Sequence, residues 1–215
     1  MKRRQPSCTE VVVIVDRSGS MSSLKDEAQG GLNTFLEEQR KSKHKVLVTL
    51  AQFDDHYELL YNGLAAKETP PYQLEPRGMT ALYDAIGKTL TSVKERQEKE
   101  SYAGLTLVAI VTDGAENHSR EWSGERTKSL IAARKADGWQ FVFLAADESA
   151  IGQGVYLGTM TFDTQRVGYV CTWNANAQAL RGMSSGQSTD YAASMATSLG
   201  QDAVNKDDLD QGGQD

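Results

Sequence analysis

"VVVIVDRSGSMSS", residues 11–23, decides how this chain is read. An unbroken run of mostly β-branched apolar residues ends in Asp16, and Ser18, Gly19, Ser20, Ser22 and Ser23 follow closely. An apolar run that does not alternate is the mark of a strand buried on both faces, as at the centre of a parallel sheet. The pattern predicts a strand over residues 10–15. It also poses a question, because one carboxylate and several hydroxyls gather at the end of that strand.

Outward from this stretch, helix and strand patterns take turns. Leu24, Ala28, Gly31, Leu32, Phe35 and Leu36 recur at three-to-four spacing, so a helix is expected over residues 23–43, with Ser22 or Ser23 able to cap it. "KVLVTLAQF" reads as a second strand, 45–53. "HYELLYNGLA" reads as a third, reached through a polar turn at Asp54 and Asp55 so short that the two strands must run antiparallel. Residues 66–78 hold three of the four prolines and read as an irregular loop. A second amphipathic helix is expected over 79–98, with Leu82, Ile86, Leu90 and Val93 in its stripe. "LTLVAIVT", 105–112, is another wholly apolar strand. Residues 123–137 follow as a helix stopped by Gly138. "WQFVFLAAD" and the short "TMTFD" are strands. Residues 164–181 are expected to form a last helix, although "VGYVCTW" within them has strand-like composition. Alternation of this kind implies an α/β fold: a Rossmann-like, doubly wound, mostly parallel sheet with one antiparallel edge strand, helices on both faces and right-handed crossovers.

Composition narrows the function classes. The chain has 215 residues and a formal net charge of −6. Its basic residues Lys2, Arg3 and Arg4 lie in residues 1–9, a solvated arm. Asp190, Asp202, Asp207, Asp208, Asp210 and Asp215 face only Lys206 in residues 184–215. With no long basic patch, nucleic acid is not an expected partner. No apolar run approaches the roughly 18 residues of a membrane span, and no apolar segment follows the basic arm, so no membrane association is expected. The two cysteines, Cys8 and Cys171, lack metal-type spacing and read as free thiols, which suits a cytoplasmic setting. After Gly182 the chain turns to Ser, Gly, Gln, Ala and Asp, so 184–215 is expected to be an acidic, disordered tail with at most a transient helix near "YAASMATSLG".

In doubly wound sheets, ligands collect at the carboxyl ends of the strands, where the strand order reverses. If strand 10–15 neighbours strand 105–112, Asp16 and Asp113 face each other across that crevice, with Thr80, at the start of a helix, able to close the group. A plain helix-capping role for Asp16, Ser18 and Ser20 would account for neither Thr80 nor Asp113. D-x-S-x-S at Asp16, Ser18 and Ser20, then Thr80 in "GMTALYDA", then Asp113 in "VTDG" together resemble the metal-ion-dependent adhesion site of the von Willebrand factor A (vWA) domain. The resemblance covers roughly residues 10–165 and is nearest in style to small stand-alone bacterial and phage A-domain proteins. It implies a vWA domain over 10–183, with Asp16, Ser18, Ser20, Thr80 and Asp113 holding Mg²⁺, or alternatively Mn²⁺ or Ca²⁺. Oxygen-only donors suit such hard cations. Asp16 and Asp113 would act largely through waters and hydroxyls, and neutral hydroxyls would leave the ion open to an acidic oxygen.

The implied function is a metal-dependent protein-binding module for adhesion or assembly, in which the ion engages an Asp or Glu of a protein partner. A structural or regulatory subunit of a multiprotein complex, not using the ion, is the alternative, and a metal-dependent hydrolase comes third. No enzyme is expected. Phosphatases that place a nucleophilic aspartate here need a second acid two residues on, where this chain has Ser18. No G-x-S-x-G elbow or phosphate-binding loop occurs, and His44, His56 and His118 are scattered. Gly19, Gly78 and Gly114 are read as supports for tight turning and close approach. Glu116, Asn117 and His118 read as a solvated loop beside the site, and Asp84 as a solvated or capping carboxylate. The oligomeric state stays open.

Overall fold

The apolar run at residues 11–15 becomes the inner strand around which the sheet is ordered. A computed structural model of the chain describes residues 8–102, 104–184, 191, 194, 195 and 197–199. Its strands are β1 (Thr9–Asp16), β2 (Val46–Phe53), β3 (Tyr57–Ala65), β4 (Leu105–Thr112), β5 (Gln140–Ala145) and β6 (Met160–Asp163). They form one sheet in the order β3-β2-β1-β4-β5-β6. β1 runs parallel to both β2 and β4, and β4–β5 and β5–β6 are parallel as well. β2 and β3 form the antiparallel hairpin at the edge. Every residue of β1 and β2 is buried, as a strand covered on both faces requires. In β3 the register against β2 slips twice. Gly63, at φ +76°, supplies a conformation there that a side-chain-bearing residue rarely adopts, and a bulge of this kind twists an edge strand away from unwanted pairing.

The helices are α1 (Lys25–Arg40), α2 (Leu82–Lys99), α3 (Gly124–Ala136), α4 (Glu148–Tyr156), α5 (Thr164–Val167) and α6 (Tyr169–Ser184). Odd and even residues of β1 face opposite ways. Val11, Val13 and Val15 meet Leu32, Phe35 and Leu36 of α1 and Trp173 and Leu180 of α6. Val12 and Ile14 meet Leu82, Ile86 and Leu90 of α2 and Ile131 of α3. Each layer thus buries an amphipathic stripe that the sequence carries.

The departures from expectation have local causes. The first helix begins at Lys25, after a 3₁₀ turn at Gly19–Leu24 that carries the serine-rich loop. The second begins at Leu82, because Ala81 N–H donates to Asp54 O at 3.0 Å and Thr80 is held by a neighbouring loop. α4 is additional to the expected elements. Asp147 caps it by accepting from Ala150 N–H at 2.7 Å, and Gly154 lets it lie against β5, since a β-carbon there would sit 2.9 Å from Phe143. The last helical segment breaks at Gly168, φ +82°, and "YVCTW", 169–173, opens α6, where Trp173 packs on Phe35 with ring centroids 4.7 Å apart. Packing also continues past the expected boundary at 183: Tyr191 and Met195 have helical backbone and are buried in the α1–α6 layer, where they cover apolar surface. Residues 1–7 and 200–215, with most of the acidic tail, lie outside the described residues. Cys8, placed in the arm by the sequence reading, is buried at the foot of β1. Among the described residues no helix is long and apolar enough to cross a membrane.

One packing contact makes a clear test. A β-carbon at Gly87 of α2 would fall 2.1 Å from Trp122 Cδ2. Trp122 is held by its backbone N–H, which donates to Asp84 Oδ1 at 2.8 Å, and its indole is covered by the Arg126 guanidinium, 3.8 Å from the ring centroid. Alanine improves helix propensity by about 1 kcal/mol, but overpacking costs about 1–3 kcal/mol. Gly87→Ala is therefore expected to lower stability by up to about 2 kcal/mol in urea denaturation. A stabilised variant would mean that the indole withdraws freely.

Candidate metal centre

The end of β1 puts Asp16 at a place where it cannot reach bulk water; its exposure is 0%. Ser18 N–H donates to Asp16 Oδ1 at 2.7 Å, and Thr112, the last residue of β4, donates its hydroxyl to Asp16 Oδ2 at 2.6 Å. The turn after Asp16 brings the Ser18 and Ser20 hydroxyls within 3.1 Å of each other. Ser20 in turn donates to Asp113 Oδ1 at 2.8 Å. Asp16, Ser18, Ser20 and Asp113 thus form one continuous hydrogen-bonded chain across the β1–β4 junction, the point from which crossovers leave in opposite directions.

Thr80 joins through its backbone. Gly19 N–H donates to Gly78 O at 3.2 Å, which docks the 78–80 segment on the serine loop. Thr80 N–H donates to Asn117 Oδ1 at 2.9 Å, while Asn117 N–H and His118 N–H donate to Thr80 O at 3.0 and 3.1 Å. The 78–80 segment is therefore held by both the loop after β1 and the loop after β4. Of the three glycines singled out from the sequence, Gly78 is the one that backbone geometry demands: it has φ +70°, and a β-carbon would lie 2.2 Å from Asp55 Oδ1.

The carboxyls of the group carry a cost in the free chain. Burial pushes Asp16 up to about 6, against the opposing pull of its bonds from Thr112 and Ser18, with the nearby Asp113 charge adding to the rise. Asp113 is also raised, chiefly by burial and further by the charge of Asp147. Arg17 does not relieve them. It forms an ion pair with Asp54 at 3.0 Å and donates to both oxygens of Glu58 at 3.0 and 3.2 Å. Two desolvated carboxylates beside clustered hydroxyls are a donor set suited to a hard divalent cation, so the residues present fit such an ion.

Further residues that shape the site went unrecognised in the sequence. Glu116 Oε1 accepts from His118 N–H and Ser119 N–H, and its Oε2 accepts from Tyr83 N–H and the Ser119 hydroxyl. Asp84, on the first turn of α2, accepts from the N–H groups of Arg120, Glu121 and Trp122 at 2.8–2.9 Å. The loop expected to be solvated is thereby tied to α2. Asp54, read as a turn residue, is fully buried and paired with Arg17 and Arg77. Asp54, Asp55 and His56 also bring three potential ligand atoms within 4.8 Å of one another. Asp54 is already engaged by two guanidinium groups and by His56 N–H at 2.6 Å, which disfavours that trio as a second ion site.

Neither protein-family models nor curated proteins give a match to the sequence. Solved structures do. The von Willebrand factor domain of the type V pili tip protein Mfa5 from Porphyromonas gingivalis superposes with a TM-score of 0.61 at 10% identity, covering 84% of this chain and 97% of that one. A von Willebrand factor type A protein from Catenulispora acidiphila gives 0.55 at 12% identity over 92% of this chain, which spans only 42% of that longer one. Manganese-loaded TRAP from Plasmodium vivax gives 0.51 at 14% identity, covering 76% of this chain and 71% of that one. With its strand order, its single antiparallel edge strand and these likenesses taken together, the chain has the von Willebrand factor A fold.

Proposed function

We propose that the chain is a non-enzymatic protein-binding module that holds a divalent cation with Asp16, Ser18, Ser20, Thr80 and Asp113 and presents it to an acidic side chain of a protein partner. The observation that carries this reading is the hydrogen-bonded chain Asp16–Ser18–Ser20–Asp113 at the switch point, with both carboxyls raised by burial. A cation there supplies the positive charge that desolvated carboxylates lack. The likeness to manganese-loaded TRAP supports a divalent ion, and the likeness to a pilus tip domain supports binding to proteins. Ser18 and Ser20 offer neutral oxygens, so little of the ion's charge is cancelled by them and an external carboxylate is attracted. Asp16 orients the Ser18 amide and the Thr112 hydroxyl, and Asp113 orients the Ser20 hydroxyl. Mg²⁺, Mn²⁺ and Ca²⁺ all suit this donor set.

Thermal denaturation with Mg²⁺, Mn²⁺ or Ca²⁺ against EDTA tests the ion. At a hundredfold excess over Kd, the native state is expected to gain about 2.7 kcal/mol, and Ser20→Ala should lose most of that gain. A partner pulldown with wild type and Asp113→Ala, each with Mg²⁺ and with EDTA, tests the use of the ion. Capture by wild type in Mg²⁺ alone is expected. The same proteins in all four lanes would overturn the reading.

A further inference from the structure

We infer that Asn117 is a positioning residue for the cation site, setting the place of Thr80 through the Thr80 amide; the inference rests on the ion-binding reading above. Thr80 precedes the first residue of α2 and is only 3% exposed. Its N–H therefore has neither an intrahelical acceptor nor ready access to water, and a buried amide without a partner is costly. Asn117 Oδ1 supplies that partner at 2.9 Å. The reciprocal bonds from Asn117 N–H and His118 N–H to Thr80 O close a three-bond clamp on both backbone polar groups of Thr80.

The clamp is anchored, and this makes it a positioning device. Asn117 sits between the Glu116 carboxylate, which takes His118 N–H, Ser119 N–H, Tyr83 N–H and the Ser119 hydroxyl, and the stretch 120–122 held by Asp84. Both carboxylates act on α2 or its first turn. The loop that carries Asp113 and the segment that carries Thr80 are thus joined into one body. The proposed ligands on the two sides of the ion keep their spacing only while this joint holds. Asparagine suits the position because its carbonyl accepts the bond without adding a third charge near Asp16 and Asp113. Its own side chain is exposed, so truncation removes the acceptor without opening the core.

The test measures Mn²⁺ affinity by electron paramagnetic resonance of the free ion. The samples are wild type, Asn117→Ala, Asn117→Asp, Thr80→Ala and the Thr80→Ala/Asn117→Ala double variant, all as the full chain. Groups that orient metal ligands typically contribute about 10–100-fold in affinity. Asn117→Ala is expected to weaken Mn²⁺ binding by about 10-fold or more. Asn117→Asp keeps the acceptor and adds a negative charge, so it should bind Mn²⁺ no more than about threefold more weakly than wild type. The double variant should bind no more weakly than Thr80→Ala alone, because a residue that acts through Thr80 has nothing left to position. In metal-free protein, hydrogen exchange at the Thr80 amide should quicken in Asn117→Ala while exchange in β1 does not. Wild-type affinity in Asn117→Ala, or a further loss on top of Thr80→Ala, overturns the role of Asn117 and leaves the ion site standing. Absence of Mn²⁺ binding in wild type overturns both.

Discussion

Asp16→Asn is expected to make the metal-free protein more stable at neutral pH while abolishing its response to divalent cations. The direction follows from the raised Asp16 carboxyl. An aspartate titrates at 3.8 when unperturbed, and burial lifts Asp16 to about 6 in the folded chain. Well below pH 3.8 it is protonated in both states and contributes nothing. Between pH 4 and 6 the folded state keeps a proton that the unfolded state has released, so stability falls as pH rises. Above pH 6 the charge stays buried in the folded state, at a cost of roughly 3 kcal/mol for a shift of about two pH units. Asparagine removes that charge and keeps the contacts: its carbonyl accepts from Ser18 N–H, and its amide donates to the Thr112 hydroxyl, which can turn its proton to Gly114 O, 3.2 Å away. Urea denaturation in EDTA should therefore find the two proteins equal near pH 3 and the variant ahead by up to about 3 kcal/mol at pH 7.5. Saturating Mg²⁺ should return wild type toward the variant. Cation affinity should also fall about tenfold per pH unit below pH 6, as protons compete for Asp16. A variant less stable than wild type at pH 7.5 in EDTA would show that the buried carboxylate is no burden, and would remove the electrostatic ground for a cation there.

What could be read from the sequence was whatever short-range pattern determines. β1 was legible because five consecutive apolar residues cannot alternate faces with water, and the hairpin because the three polar residues Asp54, Asp55 and His56 leave no room for a crossover. Asp16, Ser18 and Ser20 were legible as a group because one turn of chain carries all three. Elements set by distant packing were hidden. α4 contains Gly152 and Gly154, which argue against a helix until Phe143 of β5 is seen to need the space. "YAASMATSLG" looks like linker composition, yet Tyr191 and Met195 are buried in the same core layer as Trp173. The joint between Thr80 and Asn117 was hidden for the same reason: its members stand 37 residues apart, and nothing local marks an asparagine as the acceptor for one particular amide.

The first unspecified position of D-x-S-x-S leads to the second large effect. Arg17 fills it, and its side chain is only 5% exposed, an unusual state for a guanidinium. Its partner Asp54, in the β2–β3 turn, is wholly buried and also meets Arg77 Nε at 2.8 Å. Asp54 anchors the neighbourhood in other ways too: its Oδ1 accepts from His56 N–H at 2.6 Å, and its carbonyl accepts from Ala81 N–H at 3.0 Å. Asp54→Ala would leave Arg17 with Glu58, whose side chain is 43% exposed and therefore a weaker, solvent-screened partner. Breaking a buried pair by removing one member costs about 3–5 kcal/mol, because the surviving charge stays desolvated. Removing both charges does not, so Asp54→Ala introduced into an Arg17→Met background should cost only about 1 kcal/mol. The measurement is the urea midpoint at unchanged slope for the four members of that cycle. If Asp54→Ala alone costs under 1 kcal/mol, Arg17 has another route to water and the pair is not an anchor. If the full loss appears and vanishes in the Arg17→Met background, the serine loop is held to the hairpin by charge. Arg77 N–H donates to Arg17 O at 2.6 Å, so the same anchor reaches the Thr80 segment. The loops that carry Ser18 and Thr80 then share one buried ion pair on the hairpin side, opposite the clamp that Asn117 makes on the other.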